Sequence, residues 1–320
     1  MKNSKLVLTI KVLLTATIFL FVGSAAALAE YPDRPITMYI GYKAGGGTDT
    51  VGRVLAKAMG QNLGQQVNVV NKPGAGGGIS TMAVIKAKPD GYTILLNPSL
   101  VFTFTPQVNK RLTYAAGDLD YAGTLNAYQV GLVAPAEAPY DTLTGLVNYA
   151  KSHSGITYAT MNPPSAITIG LIAKKTGIKF NKVPVKGGAG MISVILGKQV
   201  DFSYSGGIHQ RYPGKIKLLA ALSSTRHAAF PNIPTAAEQG YPLSFDTFTT
   251  MAVPKGTPKS IIAKIERAMK AASKDTNVLK ISEKIKFPMS YRTAAETDEA
   301  MQNHWNDFAD LIKEVGYKAK

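Results

Sequence analysis

The chain has 320 residues, 36 Lys and Arg against 20 Asp and Glu, a formal net charge of +16 and no cysteine. Without cysteine, disulfide stapling and thiolate metal sites are excluded, and the length suits two domains that each bury a core. The basic residues stand singly, with no block of like charge and no interleaved aromatics, which argues against nucleic acid and for a positive field that gathers small anions.

In chain order, Lys2, Lys5 and Lys11 precede an apolar run over 12–22 and then "GSAAALAE". This is the pattern of a secretory signal peptide, with Ala27 and Ala29 at the small-residue cleavage positions. The apolar run is short for a membrane span. Residues 1–29 are therefore expected to be removed, and the remainder to be exported. No cysteine follows the cleavage point to carry a lipid anchor.

The mature chain alternates strand and helix patterns. "ITMYIGY" (36–42) reads as a strand and 49–59 as a helix with Val51, Leu55 and Ala58 on one face, capped by Thr48 or Asp49. "VNVV" (67–70), a loop over 71–80, a helix over 80–87 and the strand "GYTILL" (91–96) follow. The order repeats with helices at 143–152, 166–177 and 189–198 and strands at 156–160, 181–185, 200–205 and 216–223. Beyond 258 the pattern is helical, with helices near 259–272 and 294–314. Two apolar crossings, 128–135 and 248–254, join what reads as two α/β lobes: 30–130 plus 250–320, and 131–249. The expected fold is a two-lobed α/β binding protein with mainly parallel sheets flanked by helices and a ligand cleft between the lobes.

The glycine loop "GYKAGGGTD" ends the first strand and opens a helix, a position where unpaired N–H groups and the helix dipole favour an anion. Its spacing fits neither the dinucleotide fingerprint nor a P-loop. No G-x-S-x-G elbow is present, a cysteine nucleophile is impossible, and His153, His209, His227 and His304 lack metal-ligand spacing. His304 reads as structural, whereas His209, after "SYSGG", reaches toward the expected cleft. The chemistry is that of holding rather than reacting, with no catalytic residue, metal or cofactor expected.

"YPDRPITMYIGYKAGGGTDTVGRVLAKAM", "NKPGAGGGISTMAVIKAKPDGYTILL", "VPVKGGAGMISVILGKQVDFSYS" and "PNIPTAAEQGYP…FTTMAVPKGTP" resemble, in order and over nearly the whole mature chain, the solute-binding receptors of tripartite tricarboxylate transporters, the Bug family. The resemblance implies a type II-like periplasmic binding protein that closes on an organic acid and passes it to membrane permease subunits. It places a ligand carboxylate on the loop Ala44, Gly45, Gly46, Gly47, Thr48 and Asp49, beside Tyr42 and Lys43. It adds Lys186, Gly187, Gly188 and Ala189 from the second lobe, with Ser99, Ser165, Thr168, Ser205 and Phe248 near the cleft. "GAGGG" (74–78) matches a family motif that serves packing as readily as contact. Departures lie at Gly41, where proline is frequent, at Lys43, where a small residue is usual, and at Phe248, where tryptophan is common. In "MNPPSAIT", Thr168 stands in place of histidine, and Pro163 and Pro164 are expected to stiffen a turn. The resulting expectation is a monomeric receptor for a dicarboxylate. An exported α/β enzyme acting on a carboxylated substrate and a ligand-binding partner of a sensor kinase are the competing readings.

Overall fold

The computed structural model describes residues 30–319, so the expected signal segment lies outside the described residues. From Arg34 onward the described residues form one compact unit. Strand β1 (Ile36–Ile40) buries Ile36, Met38 and Ile40 completely and leaves Thr37 and Tyr39 half-buried, the period of two that a strand on a core requires. Helix α1 (Gly47–Leu63) buries Val51, Leu55, Ala58 and Met59 along one face and ends at Gly64 in the left-handed conformation. β2 (Val67–Asn71), α2 (Gly78–Ile85) and β3 (Thr93–Pro98) follow, and both β2 and β3 pair parallel to β1.

The short helices α3 (Leu100–Thr103) and α4 (Thr105–Val108) lead to β4 (Leu119–Ala127), which the sequence pattern had not suggested. Its sequence, LDYAGTLNA, hides the strand because polar side chains occupy buried positions. Thr124 and Asn126 are fully buried, with Thr124 Oγ1 donating to the Ser290 carbonyl at 2.7 Å and Asn126 Nδ2 donating to Ser282 Oγ at 3.3 Å. The expected strand over 128–135 starts later, as β5 (Gly131–Pro135). The chain then builds α5 (Leu143–Ser152), β6 (Thr157–Thr160), α6 (Pro163–Thr176), β7 (Asn181–Pro184), α7 (Gly187–Leu196), β8 (Phe202–Ser205) and β9 (Ile216–Ala221). It returns through β10 (Phe248–Pro254), α8 (Lys259–Ala272), α9 (Thr276–Lys284), β11 (Met289–Arg292) and α10 (Ala294–Glu314). The tail beyond 258 is thus not wholly helical: β11 adds an antiparallel edge strand beside β4.

Two sheets result, ordered β11-β4-β10-β3-β1-β2 and β7-β6-β8-β5-β9. They are mixed rather than mainly parallel. The helix-linked strands β1, β2 and β3, and β6, β7 and β8, pair parallel, whereas β10, β4, β11, β5 and β9 pair antiparallel. The cause is connectivity, since a strand arriving from the other sheet need not make a same-sense crossover. The two passages between sheets run side by side. Tyr128 N donates to Thr247 O at 2.8 Å, and Leu222 N donates to Val130 O at 2.8 Å.

α10 touches the cores of both sheets. Met301 packs with Leu95, Phe102 and Tyr121 of the first sheet's cluster, and one turn pair later Phe308 joins Phe104, Phe245 and Tyr204 against the second. Phe308 meets Phe104 edge-on at 5.2 Å between ring centroids and lies stacked on Phe245 at 5.6 Å. Among the described residues, no helix is long and apolar enough to cross a membrane.

Candidate functional site

The first loop is set by the end of β1. Gly41 N donates to Asn97 Oδ1 at 2.8 Å, and a Cβ on Gly41 would lie 2.6 Å from Ser80 Oγ and 2.7 Å from Gly77 Cα. Three segments converge at Gly41 with no room for a side chain, and Asn97 uses an N–H that a proline would lack. Gly45 then takes a φ of +80°, which turns the chain into α1.

α1 starts at Gly47, two residues before the expected Asp49, with Gly46 as its uncapped N-cap. Asp49, at the third helical position, reaches back instead. Its Oδ2 accepts the Gly45 N–H at 2.8 Å, its Oδ1 accepts Asn71 Nδ2 at 2.8 Å, and Arg53 bonds both oxygens at 3.0 Å. Burial works against ionisation, but the bonds from Arg53, Gly45 and Asn71 prevail and hold the carboxyl below the usual carboxylate range. Asp49 is thereby a clamp on the loop, its charge matched by Arg53. Gly46 N–H is engaged by the Lys43 carbonyl at 3.3 Å and Thr50 N–H by Gly46 O at 2.9 Å. Among the described residues, the amides of Ala44, Gly47, Thr48 and Asp49 have no protein partner.

The second sheet presents a matching start. After β7, Lys186 is the N-cap of α7 and gives no side-chain cap; Gly190 N bonds Lys186 O at 3.4 Å, and the amides of Gly187, Gly188 and Ala189 have no partner among the described residues. Three other helix starts are closed by side chains: Thr142 caps α5, Asp275 caps α9 and Thr293 caps α10, whereas α2 and α8 also lack a side-chain cap. α6 is closed most completely. Pro163 and Pro164 occupy its first turn and carry no N–H, Asn162 Oδ1 accepts Ser165 N at 3.0 Å, and Asn162 O accepts Ala166 N at 3.3 Å. The prolines belong to a helix start rather than to a turn. The loop 74–78 also closes on itself, with Gly77 N and Ile79 N bonding Gly74 O.

Three tyrosines stand around the α1 loop. Tyr42 OH donates to Gly76 O at 3.1 Å, Tyr128 OH bonds Thr48 Oγ1 at 2.7 Å, and Tyr204 comes from β8 of the second sheet. Burial first, then the nearby hydroxyls of Tyr128, Tyr114 and Tyr204, pushes the Tyr42 hydroxyl pKa up, and burial pushes Tyr128 up to about 12, so these phenols stay neutral. Tyr128 also rests on Phe287 at 4.3 Å between centroids, and Phe287 lies 3.4 Å from where a Cβ on Gly47 would stand. Tyr128 and Phe287 carry no sequence signal, because they meet the loop only across the fold.

The other sequence-singled side chains divide cleanly. Lys43 and Lys186 are exposed. Thr168 is buried with its Oγ1 unpartnered. Ser99 links β3 to β10, accepting Phe248 N at 3.1 Å. Ser165 Oγ is engaged by Thr160 Oγ1 at 2.9 Å and donates to Asn162 O at 2.7 Å. Ser205 Oγ bonds His209 Nδ1 at 2.8 Å and accepts Gly207 N at 3.3 Å. Phe248 is buried, with Arg292 4.0 Å over its ring and His304 stacked at 6.3 Å, so its faces are covered by the protein. Burial lowers His209 to about 3 and His227 to about 4, and His227 Nε2 is held by Val130 O at 2.9 Å. Among the described residues, no group of three or more His, Asp or Glu is placed to hold a metal ion.

An α/β chain of two sheets, with anion-ready helix starts on both and no catalytic constellation assembled beside them, has the fold of a periplasmic binding protein. The chain belongs to the tripartite tricarboxylate transporter family of receptors, whose family profile matches residues 51–317. A UPF0065 protein from the gbd 5' region of Cupriavidus necator is 36% identical over 268 residues, covering 81% of this chain and 80% of that one. Protein BugT of Bordetella pertussis is 30% identical over 325 residues, covering 96% and 98%. A TctC solute-binding protein from Polaromonas superposes with a TM-score of 0.76 at 30% identity, covering 89% of this chain and 99% of that chain. The family is one of solute-binding receptors, and this chain is a receptor rather than an enzyme.

Proposed function

We propose that this receptor works in the periplasm, as a monomer, capturing a dicarboxylate between two lobes and handing it to the permease subunits of a tripartite tricarboxylate transporter. The observation that carries the reading is the pair of uncapped glycine-rich helix starts, α1 on one sheet and α7 on the other. One carboxylate sits on the amides of Ala44, Gly47, Thr48 and Asp49, and Gly187, Gly188 and Ala189 take the opposite end when the lobes approach. Lys43 and Lys186 supply the screening charge at the rim.

Micromolar affinity needs about 8 kcal/mol. A helix dipole contributes about 0.3–1 kcal/mol, whereas charge-assisted hydrogen bonds contribute about 1.5–3 kcal/mol each. Several free amides are therefore required, and the capped helices α5, α6, α9 and α10 lack them. The lobes are read as residues 30–130 plus 250–320 and 131–249, although Phe104, Val108 and Phe308 from the first join the apolar cluster of the second. A thermal-shift screen of mono-, di- and tricarboxylates tests the reading. Stabilisation by dicarboxylates, together with a smaller radius of gyration in solution scattering on adding the best of them, is the expected result. Absence of any carboxylate effect would sink it.

A further inference from the structure

The second sheet sends toward the α1 loop a hydroxyl that the fold itself does not use. Phe202 and Tyr204 of β8 share one face, since both join the apolar cluster that includes Phe308, whereas Ser203 between them donates to Ala159 O at 3.2 Å. Tyr128, whose hydroxyl is tied to Thr48 of the α1 start at 2.7 Å, packs against that same cluster. The Tyr204 ring is fixed by Phe245, edge-on at 6.1 Å between centroids, and by strand pairing opposite Leu132 of β5. Its hydroxyl lies close enough to Tyr42 to act on that phenol electrostatically.

Tyr204 is only 3% exposed, and its hydroxyl has no hydrogen-bond partner among the described residues. Thr168 Oγ1 is also unpartnered but wholly enclosed, whereas the Tyr204 hydroxyl is not enclosed. Ligand capture strips water from such a tip, and leaving it unpaired then costs free energy, so the guest must supply a polar atom. The neighbours decide which kind. Tyr42 OH has given its hydrogen to Gly76 O at 3.1 Å, so its oxygen can only accept. Tyr204 keeps its hydrogen, and burial pushes its pKa up, so it remains a neutral donor. A methylene would leave both phenols unpaired, and a carboxylate brings no hydrogen to Tyr42. An ammonium would find acceptors but no countercharge, since Asp49 is already matched by Arg53. An alcohol satisfies both phenols at once.

Resting on the receptor reading above, we propose that Tyr204 is a specificity-determining residue that selects a dicarboxylate bearing a hydroxyl between its two carboxylates. Tyr204 donates to the hydroxyl oxygen, and Tyr42 accepts the hydroxyl hydrogen. The α1 amides hold the charge, and two phenols read the substituent. Tyr42 directly follows β1 of the first sheet and Tyr204 lies in β8 of the second, so the same hydroxyl bridges the two sheets.

The test is calorimetric titration of the whole mature chain with succinate, malate and aspartate, which carry hydrogen, hydroxyl or ammonium at one carbon. Two neutral hydrogen bonds of ordinary strength should make malate bind about tenfold tighter than succinate, with aspartate no tighter than succinate. Tyr204→Phe keeps the ring and removes the hydroxyl, and should reduce the preference for malate over succinate to within about twofold. Because that hydroxyl has no protein partner, the variant should melt no lower than the parent. A hydroxyl that served only the fold would instead lower the melting temperature and leave the preference intact. A preference that survives Tyr204→Phe, or aspartate matching malate, overturns the inference. If malate binds no tighter than succinate in the parent, this inference falls and the receptor reading stands; if no carboxylate of any kind binds, both fall.

Discussion

Replacing Gly47 by proline isolates the contribution of one main-chain amide. Gly47 is the first helical residue of α1, where proline is well accommodated because that N–H has no partner within the helix. The preceding Gly46 already has φ −73° and ψ 169°, the extended conformation that a following proline demands. Carbon added at Gly47 meets the Phe287 ring at 3.4 Å, an ordinary contact. Helix, loop and clamp therefore survive in Gly47→Pro, and the change removes one unpartnered donor. If that donor grips a carboxylate, the loss is one charge-assisted hydrogen bond, about 1.5–3 kcal/mol, or roughly a 10- to 150-fold weaker Kd. Gly47→Ala retains the N–H and adds the same first carbon, so it should stay within about threefold of the parent. Calorimetry with the tightest acid from the thermal-shift screen measures both, and circular dichroism checks that each variant melts like the parent. A folded Gly47→Pro protein with unaltered affinity would refute the assignment of the carboxylate to this helix start.

Asp49→Ala should cost about 1–3 kcal/mol of stability in urea titrations, because Asn71 and the Gly45 amide lose their acceptor while the half-exposed Arg53 can turn to water; a neutral substitution would show that the loop is held otherwise. Gly41→Ala should destabilise by about 1–3 kcal/mol through overpacking against Ser80, Gly77 and Asn97, read from the same titrations, and a neutral substitution would contradict the close approach. The buried histidines set a pH dependence. With folded pKa values of about 3 for His209 and about 4 for His227, against about 6.5 unfolded, the unfolded chain takes up protons first as pH falls. Stability is then full above pH 6.5 and declines below it, by about 2 kcal/mol per histidine at pH 5. Urea midpoints at pH 7.5 and 5 should differ accordingly, and His227→Gln should remove about half of the difference; equal midpoints would show that these rings are protonated or solvated in the folded state.

Much of the fold was legible because it rests on short-range rules. The period of two in 36–40, the buried stripe Val51, Leu55 and Met59, and the glycine that ends α6 are local consequences of strand pleat, helical repeat and chirality. The glycine loops at 44–47 and 187–188 were readable for the same reason, as was the family. What stayed hidden was polar. β4 was missed because Thr124 and Asn126 occupy core positions that only the 2.7 Å and 3.3 Å bonds to Ser290 and Ser282, more than 150 residues away, make tolerable. Ser99, Ser165, Ser205 and Phe248 fall at strand and helix ends, but whether a hydroxyl or a ring face is free depends on neighbours brought in by the chain's return.

The amino-acid sequence by itself determined the alternation of strands and helices and which helix starts are glycine-rich, since both follow from each residue's own backbone freedom and side-chain period. Only the tertiary structure decided which of those starts keep their N–H groups open, that the Asp49 carboxyl clamps the loop, and that Tyr128 and Phe287 stand beside it. Hydrogen-bond satisfaction is settled by partners distant in the chain, and no local pattern encodes where those partners arrive.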